Sequence, residues 1–202
     1  MTSDIYQAPE ADLRQDTDQG QAVAAEDREF YVVSGRKFLV LMIGTFGLYE
    51  LYWAYRHWKN YSDSHRAAMW PVMRAIFFLF FAHSLCSKID ASLLSTHKKH
   101  SWSPTLVATL YVVFSLVSSI GDRLSGMDGV SIWVSFVAFG VFPVLIWCLY
   151  RIQVAANIAC DDPQASSNAS FTPANFIWLA IGFAIWAALL FGLYAAYVGL
   201  PY

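Results

Sequence analysis

Four apolar stretches, Phe38–Tyr55, Ser103–Ile120, Val130–Tyr150 and Asn175–Val198, are each long enough to cross a lipid bilayer as a helix. A spanning helix needs about 20 mostly apolar residues, because it rises only ~1.5 Å per residue against a ~30 Å hydrocarbon core. A fifth stretch, Ala75–Cys86, is shorter and bracketed by Arg74 and Lys88. It reaches across only if both cations extend toward opposite interfaces. In hydrocarbon every backbone N–H and C=O must be satisfied within the chain, which leaves helices or closed barrels. The runs are continuous and not alternating. The expected fold is therefore an all-α integral membrane bundle of four to five hydrophobic helices, at about 38–58, 72–89, 103–120, 130–152 and 174–198.

Composition points the same way. Of 202 residues 57% are hydrophobic and 14% charged, where a soluble domain carries about 25% charge. With 13 Lys and Arg against 15 Asp and Glu, no basic surplus marks a nucleic-acid binder, and the lipid bilayer is the expected partner. Residues 1–37 hold eight acids and four bases, a net of −4. The chain thus divides into a disordered acidic cytoplasmic tail, 1–36, and a multi-pass transmembrane domain, 37–202. No apolar run precedes Phe38, so the first hydrophobic segment reads as an uncleaved anchor and the amino terminus as cytoplasmic. Cys86, Cys148 and Cys160 show no metal-type spacing and imply no disulfide framework.

Tryptophans near the segment ends, among them Trp53, Trp58, Trp70 and Trp102, fit an aromatic belt at the membrane surfaces. Orientation is less decisive. Five spans place Arg28, Arg36, Lys37, Lys88, Lys98, Lys99 and Arg151 inside, and Arg56, Lys59, Arg66, Arg74 and Arg123 outside. If the first two segments dip in and return, every one of these except Arg123 falls inside, and Gly44, Thr45 and Gly47 would permit such a break. Spanning helices remain the expectation, since lipid-exposed irregular backbone is costly.

The run Thr45-x-Gly47-x-Tyr49-x-x-Tyr52-Trp53-x-Tyr55 resembles a signature of small uncharacterised bacterial multi-pass inner-membrane proteins. The likeness continues through Pro71-x-x-Arg74-Ala75 and through Gln153-x-Ala155-Ala156-Asn157 to Asp162-Pro163. It implies a bacterial cytoplasmic membrane and carries no activity with it. In the tail, Tyr6-x-Ala8-Pro9-x-Ala11-x-Leu13 resembles a short tag at the start of otherwise unrelated bacterial inner-membrane proteins, which suits a docking peptide for a protein partner.

Three polar side chains stand out within the apolar segments. Glu50 lies 13 residues after Lys37, which puts it ~20 Å along an unbroken helix. It either sits at the far interface near Trp53 and Arg56 or is buried, with Arg74 or His83 on the adjoining short helix as its partner. His83 otherwise reads as an interhelical hydrogen-bonding group. His97-Lys98-Lys99-His100 is a basic loop suited to anionic headgroups. Between the last two segments, Asn157, Asp161, Asp162 and Asn168 form a polar loop fit for turns and capping or for a partner or ion. Arg151 and Gln153 read as interface anchors just before it, and Thr172-Pro173 as the start of the last helix.

No H-E-x-x-H, G-x-S-x-G, Walker or G-x-G-x-x-G pattern occurs, so no catalytic, metal or cofactor residue is assigned. The functional expectation is a non-catalytic accessory or adaptor that binds protein partners through its tail. The alternative is a small transporter or channel-like protein using Glu50, Arg74 and His83.

Overall fold

The structure is a computed structural model that describes residues 28–125 and 133–198. Among these residues there are seven α-helices and no strands: α1 Gly35–Gly44, α2 Tyr49–His65, α3 Pro71–Ile76, α4 Phe78–Ser95, α5 Pro104–Ser125, α6 Trp133–Ala159 and α7 Pro173–Val198. A single 3-10 turn, Ser166–Asn168, separates the last two. Three helices are long and apolar enough to cross a membrane. Their apolar windows are Pro104–Gly121, Gly140–Ala159 and Pro173–Gly192, with mean hydropathies of 1.7, 1.5 and 2.0. Half of the α6 window is buried inside the bundle, against 17% for α5 and 11% for α7. α6 is accordingly the central pillar, with α1, α4 and α5 packed on it.

The helix expected over 38–58 is instead two helices, α1 and α2, joined by a tight reversal at residues 45–48. Gly47 has φ +84°, a conformation that glycine adopts without a side-chain penalty, and Phe46 before it has φ 52°. The buried Thr45 hydroxyl donates to Leu41 O at 2.7 Å and accepts the Tyr49 N–H at 3.0 Å, so one side chain caps both helices. Gly47 N–H bonds Met42 O at 2.8 Å, and the Trp186 indole of α7 donates to Ile43 O at 2.8 Å. The carbonyls of Leu41, Met42 and Ile43, which a broken helix would leave open, are thereby satisfied.

The helix expected over 72–89 is likewise two, α3 and α4, meeting at Phe77. Pro71 starts α3, where its fixed φ suits the first helical turn and its missing N–H removes no bond. α7 begins at Pro173, as its sequence implies, and the Asn175 carboxamide reaches back to accept the Thr172 N–H at 2.9 Å. α6 runs on to Ala159, seven residues beyond the expected end at 152, so Gln153 and Asn157 belong to the helix. Trp53 and Trp58 are fully buried and belong to the core, not to a surface belt.

Residues 28–34, expected in the tail, lie folded against the bundle. Phe30, Tyr31, Val32 and Val33 are all buried, and this strap leads directly into α1 through the Ser34 cap. The strap, the start of α1 and the end of α2 gather at one end of the bundle together with the starts of α5 and α7 and the ends of α4 and α6. His65 meets Glu29 at 3.4 Å, Lys98 Nζ donates to Ala159 O at 2.6 Å, and Arg151 donates to Ser101 O at 3.1 Å.

The reversal packs backbone to backbone on α7. A Cβ built on Gly182 would stand 1.9 Å from Gly44 O and 2.6 Å from Thr45 Cα, whereas one on Gly192 of the same helix meets nothing within 4 Å. Close approach through small residues is a common way for helices to associate in lipid. Gly182→Ala should therefore lower the unfolding temperature in mild detergent, by an amount equivalent to about 1–3 kcal/mol of overpacking. Gly192→Ala should leave it unchanged or raise it, because alanine is the better helix former.

Candidate functional site

The most heavily constrained polar groups form a buried network between the strap, α2 and α6. Gln153 is 1% exposed and uses both ends of its amide. Its Oε1 accepts from Trp53 Nε1 and, at 3.2 Å, from His57 Nε2, while its Nε2 donates to Tyr31 O at 2.9 Å and to Asn157 Oδ1 at 2.7 Å. An acceptor facing His57 Nε2 requires the proton there, which fixes the neutral tautomer. Nδ1 of the same ring is buried and has no hydrogen-bond partner.

One helical turn on, Asn157 treats the strap as a neighbouring strand would. Its Oδ1 accepts the Val33 N–H at 3.3 Å and its Nδ2 donates to Val33 O at 3.0 Å. Asn168, at the end of the 3-10 turn, donates to Val32 O at 2.8 Å and to the Tyr31 hydroxyl at 3.1 Å. Its backbone O takes the Ser34 N–H at 3.3 Å. The Tyr31 and Tyr49 hydroxyls lie 3.1 Å apart, tying the strap to the first turn of α2. Outside any helix or sheet, the carbonyls of Tyr31, Val32 and Val33 and the Val33 N–H are thus met by three carboxamides, which helps this backbone to be buried.

The acids of the expected polar loop hold the outer end of this assembly. Asp162 accepts from the N–H groups of Ser166 and Ser167, at 2.9 and 3.1 Å, and pairs with Arg28 at 3.1 Å. Burial alone would raise its pKa, but the hydrogen bonds from Ser167, Ser166 and Arg28 hold it below the ordinary carboxylate range. Asp161 has φ 58° and points outward to Lys98 at 2.8 Å. Asn157, Asn168 and Asp162 therefore hold the strap at Val33, Val32 and Arg28, whereas Asp161 turns away to Lys98. Among the described residues no three His, Cys, Asp or Glu side chains gather as a metal ion would need.

Glu50, Arg74 and His83 are not brought into one cluster. The partner of Glu50 is the Tyr111 hydroxyl of α5, in place of Arg74 or His83. The Arg74 guanidinium lies 4.5 Å from the Trp58 ring centroid and 4.9 Å from that of Phe81, and His83 bonds Thr109 Oγ1 at 3.1 Å on an exposed face. The tag residues Tyr6, Ala8, Pro9 and Leu13 lie outside the described residues. Of the network, the sequence reading missed Tyr31, Trp53 and His57 and treated Gln153 as an interface anchor. The available signal was the i, i+4 pair Gln153 and Asn157 on one helical face.

Asn157→Ala should strand both the N–H and the C=O of Val33. Leaving one buried polar group unpaired costs about 1–3 kcal/mol, so thermal unfolding should come several degrees earlier and proteolysis between Arg28 and Arg36 should quicken. Asp162 contributes stability while it is ionised. Because its folded pKa is depressed, that contribution is present above the unfolded value of about 3.9 and is lost as pH falls below it. Unfolding temperature should drop below about pH 4, and less steeply in Asp162→Asn, which has already lost the charge.

Comparison with protein-family models, curated proteins and solved structures finds no match.

Proposed function

We propose that this is a membrane-embedded, non-catalytic accessory or adaptor protein that holds its amino-terminal tail at a fixed point on the cytoplasmic face. The observation that carries the reading is the strap. A chain that merely trails a solubilising tail has no need to thread Phe30–Val33 into its core and meet that backbone with Gln153, Asn157 and Asn168. The tag-like Tyr6–Leu13 stretch would then leave the bundle from a defined position, as a docking peptide requires.

The accompanying topology is three crossings, α5, α6 and α7, with α1–α2 and α3–α4 dipping into the bundle and returning. Re-entrant backbone is tolerated where it is covered by protein, and the reversal at 45–48 has its polar groups met by Thr45 and Trp186. Charge supports the same reading. From residue 28 onward every Lys and Arg except Arg123 then lies on one side, a far stronger bias than seven against five. That side is the cytoplasm of the bacterial membrane that the Tyr-Trp resemblance implies. The transporter alternative draws less support, because Glu50, Arg74 and His83 each engage a different neighbour.

Single cysteines at Lys59, Lys99 and Arg123 separate the topologies. With a membrane-impermeant maleimide, Lys59→Cys and Lys99→Cys should label from the same face and Arg123→Cys from the other; five crossings would put Lys59 opposite Lys99. For the adaptor role, the full chain and one lacking residues 1–27 are extracted in mild detergent. A stoichiometric partner should come away with the full chain alone, and identical complexes from both would defeat the reading.

A further inference from the structure

Beside the strap, between the starts of α1 and α7 and the flank of α2, opens a cavity of about 330 Å³, at the small end of the range for ligand sites. Its wall carries Arg28, Lys37 and Arg56, and among the described residues no carboxylate lines it. Arg28 is neutralised by Asp162. The other two cations are not. Lys37 is 2% exposed, yet its ammonium donates only to neutral oxygens, Asn168 Oδ1 and Ser170 O, both at 2.7 Å. Arg56 lays its guanidinium 5.4 Å from the Tyr31 ring centroid, and its Nε is buried without a hydrogen-bond partner.

A buried charge is costly unless paired, and the buried Lys37, with neutral acceptors alone, stands beside the half-buried Arg56 on one cavity wall, a pair that favours an anion. The first turn of α7 adds to the field, since Thr172, Ala174 and Asn175 present the positive end of a 26-residue helix to the same space. The cavity is also not isolated. Tyr52 and Trp178 are shared with a second cavity of about 280 Å³, otherwise lined by Leu51, Tyr55, Val72, Ala75 and Ile76. Leu51, Val72 and Ile76 are half exposed on the outer surface, so this apolar groove opens outward. A ligand that fills both spaces is anionic at one end and hydrocarbon at the other.

We propose that the two cavities form a binding site for an anionic phospholipid, its phosphate held by Lys37 and Arg56 and its first acyl segment laid along the groove between α2, α3 and Trp178. Planar Arg56 suits a phosphate through two parallel N–H donors, and Lys37 adds a point charge. The inference rests on the membrane reading of the fold but not on the adaptor role, and the sided labelling above tests that reading independently.

The test uses the full chain in a nonionic detergent, with unfolding temperature read against added dihexanoyl phosphatidylglycerol. The same chain is titrated with dihexanoyl phosphatidylcholine, glycerol 3-phosphate and inorganic phosphate. Phosphatidylglycerol should give a saturable rise, and Arg56→Gln should weaken its apparent affinity about ten-fold or more, as loss of charged hydrogen bonds implies. Ile76→Asp, on the exposed rim of the groove, should weaken phosphatidylglycerol while leaving the lipid-free unfolding temperature near that of the parent. The proposal fails if phosphatidylcholine works as well, which removes the anion. It fails equally if glycerol 3-phosphate or inorganic phosphate works as well, which removes the acyl chain. An unchanged response in both variants would place the lipid elsewhere.

Discussion

Backbone polar groups that lose contact with water must find partners inside the chain, and the two most unusual features of this bundle are solutions to that demand. A helix satisfies most of it by construction, although Pro143 inside α6 donates no backbone bond. The reversal at residues 45–48 and the strap at 28–34 do not satisfy it by construction. Each is held by a side chain that bonds in two directions. Thr45 serves the last turn of α1 and the first of α2, and Asn157 serves both the N–H and the C=O of Val33. Removing either would leave donors and acceptors unpaired in an apolar interior, where such a loss is expensive.

Gln153 converts these local solutions into a single structure. Through one carboxamide it links Trp53 and His57 on α2, the strap carbonyl of Tyr31 and the Asn157 amide on its own helix. Each of its polar atoms has two partners, so the position of α2 relative to the central helix is tied to the seating of the strap. Phe38 and Phe78 close around Trp53 edge to face, at 6.0 and 5.5 Å between ring centroids, and help to bury the network. A buried network is stronger while complete and more damaging when broken, because the same low dielectric acts in both directions.

How far the sequence revealed this depends on whether the deciding contact was local. The start of α7 was legible, because Thr172 and Pro173 act on their own helical turn. The all-helical character was legible too, because continuous apolar runs leave few other options. The break in the first segment was half legible. Thr45 and Gly47 advertise it, but whether the chain turns there depends on Gly182 and Trp186 from a helix more than 130 residues away. The strap was missed because Phe30–Val33 is a four-residue apolar island in acidic sequence, and its burial is decided by amides near residues 153–168. Glu50 found Tyr111, not Arg74 or His83, for the same reason: the partner comes from α5, which the spacing along the first two segments says nothing about.

The strap is also a wall. Arg28, Tyr31 and Val32 border the cationic cavity, and Asn168, which bonds Val32 and Tyr31, is also an acceptor for Lys37. An anion in the proposed site would therefore lie against the strap. Arg28 anchors the strap to Asp162 through a bond that the anion does not need, since Lys37 and Arg56 are the cations left without a counter-charge. In the proposed site, anion and strap would share Asn168, which accepts from Lys37 and donates to Val32 O and the Tyr31 hydroxyl. In that arrangement the strap, the cavity and the end of α6 share one set of polar side chains, Tyr31, Asn157 and Asn168.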